Sequence, residues 1–473
     1  MTLIKSISGI RGTIGGTQGE NLTPIDAVKY AAAYGTWVKQ QRNKETYKVI
    51  VGRDARISGE MIQQLVMNTL VGMGITVIDL NLSTTPTVEV AVALEHADGG
   101  IILTASHNPK QWNALKLLNN KGEFLNAEAG QQILDIAENG AIEFAEVDNL
   151  GEIHKNDAYI DLHIDEILNL PLVKADAIKR CKFKVVVDAV NSTGGIAVPL
   201  LLEALGVEPV KLHCTPNGQF PHNPEPLKEH LGDLMESVVK NHADFGIVVD
   251  PDVDRLAFVD EKGEMFGEEY TLVAVADYVL QNTPGNTVSN MSSSRALRDV
   301  TEKHGGTYTA SAVGEVNVVE LIKETNAVIG GEGNGGIIYP ELHYGRDSLV
   351  GIALFLSFLA EEKIAVSELR KKYTAYFMSK KKIELTPQLD VDAILKAMEA
   401  KYSADPRSTE ASAKVQDINT IDGLKIDFAE NWVHLRKSNT EPIIRIYTEA
   451  KSQEEADALA DRIIGEIKEV AGV

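Results

Sequence analysis

The sequence predicts an α/β protein of four domains: three similar mixed α/β domains built from layered βαβ units, then a C-terminal α+β domain. Three observations predict it. At 473 residues the chain is too long for one hydrophobic core. A short β-branched strand, a polar or glycine-rich turn, a helix and a second strand recur three times along it. After about Lys380 that rhythm gives way to a different order.

The first unit runs from Val49-Ile-Val51 through Gly52-Arg-Asp-Ala-Arg-Ile-Ser-Gly59, a helix over 61–71 and a strand over 75–80. Glycine and short polar residues end the strand, and apolar residues at helical spacing then give the helix one buried face. The second unit opens at Val185-Val-Val-Asp188, turns at Asn191-Ser-Thr-Gly-Gly195, and has a helix over 199–205 before Val210-Lys-Leu212. A weaker third copy spans Thr287-Val-Ser-Asn290, Ser292-Ser-Ser294, a helix over 297–304 and Thr307-Tyr-Thr-Ala310. Strands that return parallel need a crossover helix, so largely parallel sheets are expected.

The tail reads strand, helix, strand, strand, helix. Its last helix opens on the capping box Ser452-Gln-Glu-Glu455, ahead of Ala456, Leu459, Ile463, Ile464 and Ile467 on one face. Seams are expected at the polar stretch 149–157, at the turn 259–264 and at the Lys-rich segment after Ser379. The expected domains are 1–153, 154–259, 260–375 and 376–473.

Composition narrows the function. Lys and Arg number 46 against 68 Asp and Glu, a net charge of -22, with no dense basic block, which argues against nucleic acid or an anionic membrane as partner. An anionic ligand must then be held by a few local cations. The two cysteines, Cys181 and Cys214, fall in unrelated contexts and support neither a disulfide framework nor a thiolate metal site, so reducing cytoplasm is the expected compartment. The opening Met1-Thr-Leu-Ile-Lys-Ser6 lacks the pattern of a signal peptide, and no apolar run of about 18 residues occurs.

Four polar clusters carry the chemistry, and the first three directly follow short apolar strands, where open α/β sheets place ligands. Thr104-Ala-Ser106-His107-Asn-Pro109 sets an accessible serine on a tight turn. It could be a nucleophile or phosphoryl carrier, and as readily a helix cap or strand-ending turn. His107 reads first as a turn-stabilising hydrogen-bonding group.

Asp250-Pro-Asp252-Val-Asp254-Arg255 follows Phe245-Gly-Ile-Val-Val249. Carboxylates at alternate positions can converge on one point, where their repulsion calls for a hard divalent cation such as Mg²⁺. An EF-hand loop is excluded because Arg255 stands where glycine is required and both flanks read as strands. A solvated acidic turn is the bland alternative.

In Gly330-Gly-Glu332-Gly-Asn334-Gly-Gly336, five glycines allow close approach of a ligand, and Glu332 and Asn334 suit sugar hydroxyls. The spacing fits neither a dinucleotide fingerprint nor a P-loop. In the tail, His434-Leu-Arg436-Lys-Ser438-Asn439-Thr440-Glu-Pro-Ile-Ile-Arg445 combines two arginines with hydroxyls and turn amides, a phosphate cradle unless the arginines merely pair with surface acids. Arg11 and Lys116 are lesser candidates, for phosphate binding and proton transfer.

The order of these motifs resembles the α-D-phosphohexomutases along the whole chain. The resemblance implies a phosphoserine at Ser106 in a TASHNP-type loop of the first domain and one Mg²⁺ on Asp250, Asp252, Asp254 and the Ser106 phosphate in the second. It implies sugar selection by Glu332 and Asn334 in the third domain, with Arg255 also contacting substrate. Phosphate binding falls to Arg436, Ser438, Asn439, Thr440 and Arg445 in the fourth, and all four domains should surround one central cleft.

The implied reaction interconverts hexose 6-phosphate and hexose 1-phosphate through a hexose 1,6-bisphosphate, with Lys116, His107 or Arg11 assisting proton and charge movement. The expected partner is a hexose or hexosamine monophosphate, on a monomer or homodimer. Pro251, Val253, Ala114, Asn334 and Gly336 depart from the commonest family pattern. The Gly-Glu-Gly-Asn-Gly-Gly loop looks like that of a phosphoglucosamine mutase subgroup and of related phosphomannomutase/phosphoglucomutases, so glucosamine phosphate is the expected substrate and glucose or mannose phosphate the alternative. An inactive sugar-phosphate-binding paralogue and a phosphatase are remoter readings.

Overall fold

The computed structural model describes residues 2–6, 9–384, 390–404, 414–437 and 443–471. Three α/β units and an antiparallel tail follow one another. In the first, strand Tyr47–Arg53 shows how sequence places layers. Val49 and Val51 enter the core beneath helices Pro24–Gln41 and Gly59–Gly72, while Ile50 joins the cluster under helix Thr85–Leu94 on the other face. Alternate strand side chains point to opposite faces, so an apolar strand of this kind is covered on both sides.

The three units share one strand plan. Across the first, four strands stand in the order Ile75–Leu82, Tyr47–Arg53, Gly99–Leu103, Trp112–Leu118, the first three parallel and the last antiparallel to its neighbour. The second repeats it as Glu208–Leu212, Lys184–Asp188, Phe245–Val249, Leu256–Val259, and the third as Tyr308–Ser311, Thr287–Asn290, Ile329–Glu332, Gly336–Ile338. The first sheet adds the hairpin Ile4–Ser6 and Gly9–Thr13 at one edge and Ile153–Lys155 at the other. Antiparallel pairings therefore make up half of that sheet, more than the largely parallel arrangement expected, because hairpin strands need no crossover helix.

Other expectations shift at the ends of elements. The second helix begins at Gly194 instead of 199, so Pro199 lies inside the helix Gly194–Ala204. The seam expected between 153 and 154 falls inside strand Ile153–Lys155, an exposed edge strand whose polar sequence resembles a linker. Across the turn at 259–264 the second and third units share one hydrophobic cluster, in which Phe258 stacks on Phe355 with centroids 3.9 Å apart.

The tail is a five-stranded antiparallel sheet, Phe377–Glu384, Ile443–Ala450, Trp432–Lys437, Leu424–Phe428, Val415–Asn419, packed on helices Val391–Ala404 and Gln453–Ala471. Four strands separate the helices where two were expected. The outermost, Val415–Asn419, is half-buried to exposed throughout and gives little alternating signal. The final helix buries Ala456, Leu459, Ile463 and Ile467 as read, and Ser452 Oγ accepts from the Glu455 amide at 3.2 Å. Among the described residues no helix is long and apolar enough to cross a membrane.

Candidate active site

The shared strand plan brings three clusters to equivalent places. In each unit the loop that joins the third strand to its antiparallel fourth carries one of them: Ser106 in the first, the three aspartates in the second, Asn334 directly after Glu332 and Gly333 in the third.

Ser106 adopts a left-handed backbone, φ +47°, which costs a non-glycine residue about 1–2 kcal/mol. Buried Arg56 holds this loop. Its guanidinium donates to the carbonyls of Ser106 (2.5 Å), Asn108 (2.6 Å), Pro109 (2.7 Å) and Trp112 (3.0 Å), and to Asp54 Oδ2 (2.9 Å), which occupies all of its donors. Asp54 Oδ2 also accepts from the Thr104 hydroxyl at 2.7 Å, and Thr104 Oγ1 accepts the Ser106 amide at 2.9 Å. The Ser106 hydroxyl is thereby aimed at the second unit, donating to Asp250 Oδ2 at 2.8 Å, with His107 Nδ1 3.4 Å from Oγ.

Asp250, Asp252 and Asp254 are all buried, and one oxygen from each lies within 4.8 Å of the others. Asp252 Oδ2 accepts from Lys116 Nζ and from Thr85 Oγ1, both at 2.7 Å, and Asp254 Oδ2 accepts from Arg346 Nη2 at 2.6 Å. The second oxygen of Asp252 and that of Asp254 are buried without a donor among the described residues. Unpartnered buried carboxylate oxygens are costly. Two of them beside a third carboxylate fit a divalent cation with oxygen ligands.

The electrostatics follow the same geometry. Burial, with Asp254 and Asp252 close by, pushes the Asp250 carboxyl well above the carboxylate range. Burial opposes ionisation of Asp252 as well, but Lys116 overrides it and holds Asp252 below that range. Burial disfavours the Lys116 cation, yet Asp252 and Asp254 raise its pKa, so it stays charged. His107 is pushed far down by burial and by the nearby Arg255 and Arg11, and is a neutral imidazole at pH 7. Val253, between the second and third aspartates, takes φ +65°.

In the third loop, Glu332 accepts from Asn290 Nδ2 at 2.8 Å and from Arg346 Nη1 at 2.7 Å. Arg346 also pairs with Glu315 at 3.0 Å, so one buried guanidinium ties the aspartate loop to the sugar-type loop. Glycine is required at 335, where φ is +88° and a Cβ would lie 2.1 Å from the Leu256 carbonyl. A cavity of about 710 Å³ opens over these loops, lined by Arg11, Ser106, His107 and Lys116 from the first unit and by Arg255, Glu332 and Asn334 from the others. Arg11 Nη1 donates to Asn108 Oδ1 at 3.1 Å, and Arg255 Nη1 to Glu225 Oε1 at 3.3 Å.

The tail cluster lies beside this cavity and does not line it among the described residues. Arg436 and Arg445 stand directly opposite each other on antiparallel strands, and Lys382 faces Arg445 from the other side. Like charges in register destabilise a sheet, so this row favours an anion. Arg436 Nε is 2.9 Å from Asp422 Oδ2, which accepts the amide of Val313 in the cavity wall at 3.0 Å. Ser438, Asn439 and Thr440 lie outside the described residues.

Arg56 and Arg346 were not singled out in the sequence. Arg56 lies in the strand-ending turn Gly52–Gly59, so the positional rule that found Ser106 could have found it. Arg346 follows no strand signal and precedes the apolar helix Ser348–Glu362, which leaves only its unusual place before a buried helix as a clue.

A nucleophile, a carboxylate cage and a sugar-sized polar cavity define a phosphoryl-transfer enzyme acting on small polar substrates. Residues 3–143, 161–263 and 267–376 match phosphoglucomutase/phosphomannomutase alpha/beta/alpha domains I, II and III, and 381–466 match its C-terminal domain. The chain is 37% identical over 449 residues to a phosphoglucomutase/phosphomannomutase of Thermococcus kodakarensis, covering 94% of this chain and 95% of that one. It is 33% identical to a probable phosphoglucosamine mutase of Methanopyrus kandleri, covering 97% and 96%. A crystal structure of a phosphoglucomutase/phosphomannomutase family protein from Burkholderia thailandensis superposes with a TM-score of 0.82 at 25% identity, covering 99% and 98%. The chain belongs to the phosphoglucomutase/phosphomannomutase family, the α-D-phosphohexomutases. Its activity is that of a phosphohexomutase.

Proposed function

We propose that this chain interconverts hexosamine 6-phosphate and 1-phosphate, with glucosamine phosphate preferred and Ser106 as the phosphoryl carrier. The observation that carries the reading is the hydrogen bond from Ser106 Oγ to Asp250 Oδ2 at 2.8 Å, which joins the candidate nucleophile to the carboxylate cage. Mg²⁺ held by Asp250, Asp252 and Asp254 would supply charge neutralisation at the transferring phosphoryl group.

The chain's own residues do the rest. The phosphoryl group leaves Ser106 Oγ for a sugar hydroxyl, whose proton ends on Ser106 Oγ, and the reverse transfer returns the other phosphate from the hexose 1,6-bisphosphate to Ser106 as the sugar oxygen it leaves takes the proton back. Neutral His107, 3.4 Å from Oγ, can hold a hydrogen bond there, while the Lys116 cation offsets charge on the same oxygen or donates a proton to it. Arg11 and Arg255 supply positive charge in the cavity, and Glu332 and Asn334 supply partners for sugar hydroxyls and amine. Arg436 and Arg445, with Ser438, Asn439 and Thr440, would hold the phosphate not being transferred. An anionic carboxylate at Glu332, sustained by Arg346 against its burial, suits the ammonium of glucosamine.

The test is a comparison of kcat/KM for glucosamine, glucose and mannose 6-phosphates with Mg²⁺ and a trace of the matching bisphosphate. A lead of about tenfold for glucosamine phosphate, roughly 1.4 kcal/mol of transition-state discrimination, is expected. A lead for glucose or mannose phosphate overturns the substrate. Near-normal turnover by Ser106→Ala overturns the phosphoserine.

A further inference from the structure

A second cluster lies on the far side of the residues that support the aspartate loop. Helix Thr85–Leu94, helix Tyr159–Leu168 and the segment leading into helix Ser348–Glu362 meet there. His163 Nε2 is 2.9 Å and His343 Nε2 is 3.3 Å from the same oxygen, Asp347 Oδ2. His163 and Asp347 are fully buried, and the side chain of His343 retains 11% exposure. We infer that His163, His343 and Asp347 form a binding site for a divalent transition-metal ion of the Zn²⁺ class, separate from the aspartate cage.

The donor geometry carries the inference. Zn²⁺ bound by imidazole and carboxylate at about 2.0–2.1 Å in a tetrahedron sets its ligand atoms about 3.3 Å apart. The two distances to Asp347 Oδ2, 2.9 and 3.3 Å, are near that spacing, and all three atoms lie within 4.8 Å of one another.

The outer contacts match what metal-bound histidines make. Both rings turn Nε2 to Asp347; His163 Nδ1 is hydrogen-bonded to Thr87 Oγ1 at 3.0 Å, and His343 Nδ1 lies 3.4 Å from Glu89 Oε2 without a hydrogen bond among the described residues. Such partners fix the tautomer and orientation of ligating imidazoles. Asp347 Oδ1 is occupied otherwise, accepting the Leu349 amide at 2.8 Å, which fixes the carboxylate on its helix.

Glu89 is the second and independent observation. It is buried at 1% exposure, and neither of its oxygens has a hydrogen-bond donor among the described residues. Without an ion, the pocket buries the Asp347 charge and an unsatisfied Glu89 together. A divalent ion balances both, with Glu89 accepting from the His343 Nδ1–H. Imidazole donors select Zn²⁺-like ions over Mg²⁺, so the two sites should sort metals by ligand type.

The experiment uses the full chain, stripped with chelator and then kept in millimolar Mg²⁺ so that the aspartate cage is occupied. Zn²⁺ or Co²⁺ alone is added, excess is removed, and metal per chain is measured by mass spectrometry. About one equivalent of Zn²⁺ is expected, with the intense visible absorption of four-coordinate Co²⁺ and a rise in Tm on adding Zn²⁺. His343→Gln, at the partly exposed ligand, should fold, as checked by circular dichroism, and lose all three signals, as should His163→Gln. Should that variant fail to fold, the wild-type stoichiometry and Co²⁺ spectrum still decide. Wild type retaining no more Zn²⁺ than His343→Gln overturns the site and leaves a hydrogen-bonded His-Asp-His chain with protonated Glu89.

Discussion

Arg56 donates to the carbonyl oxygen of Ser106 at 2.5 Å from a side chain with no exposed surface. The serine's left-handed backbone therefore depends on a residue that never touches the cavity. Arg56→Met should leave Asp54 buried without its cation and free four loop carbonyls. A stability loss of about 3–5 kcal/mol is expected from breaking such a pair. Calorimetry and turnover together check this, and a variant with native Tm would refute the assignment.

Lys116 contacts Asp252 on an oxygen that a metal could otherwise use. Lys116→Met should lower kcat by about 10²–10⁴, the range for a lost proton-transfer group. The Mg²⁺ concentration needed for half-maximal rate should stay the same or fall, because a competing cation is gone. A large rise in that concentration would instead make Lys116 part of the metal site's support.

Val253 is buried and strained at once, with φ +65°. Ala at 253 would lose the packing and keep the strain, whereas Gly loses the packing and removes the strain, worth about 1–2 kcal/mol. Val253→Gly should therefore be at least as stable as Val253→Ala, the reverse of the order in helices and strands. Thermal melts of the two variants decide it.

His434 links the tail to the third unit: its Nε2–H donates to the Asp422 carbonyl at 2.7 Å, so Nδ1 accepts from the Ser292 hydroxyl at 2.9 Å. Burial lowers its pKa from 6.5 to about 4. The unfolded chain then binds more protons than the folded one between those values. Stability from this group is complete above pH 6.5 and is lost as pH falls toward 4, by at most about 1.4 kcal/mol per pH unit. His434→Gln should flatten that part of the stability curve relative to wild type, which melts from pH 7 to 4.5 would reveal.

The strand plan was legible because Val49–Val51, Val185–Val187 and Ile329 lie in runs whose neighbours cover both faces. The loops after Leu103, Val249 and Ile329 were legible because small and acidic residues stop an apolar run abruptly. Arg56 and Arg346 were hidden for a physical reason: a cation that supports a loop from within the protein has no local pattern, and the loop it holds can be far along the chain, 50 residues from Arg56 to Ser106 and 92 from Arg346 to Asp254. The hairpin at the start of the first sheet, the edge strand Ile153–Lys155 and the outer tail strand escaped notice because edges carry polar sequence.

The serine loop has a history as well as a geometry. Asp250 follows Ser106 by 144 residues, so at about 5–20 residues per second a ribosome needs roughly 7–30 s to supply the partner. During that interval Asp54, Arg56 and Thr104, all encoded before Ser106, can already hold the loop in shape. The nascent first domain thus waits with its reactive corner built, and later domains dock onto a finished surface.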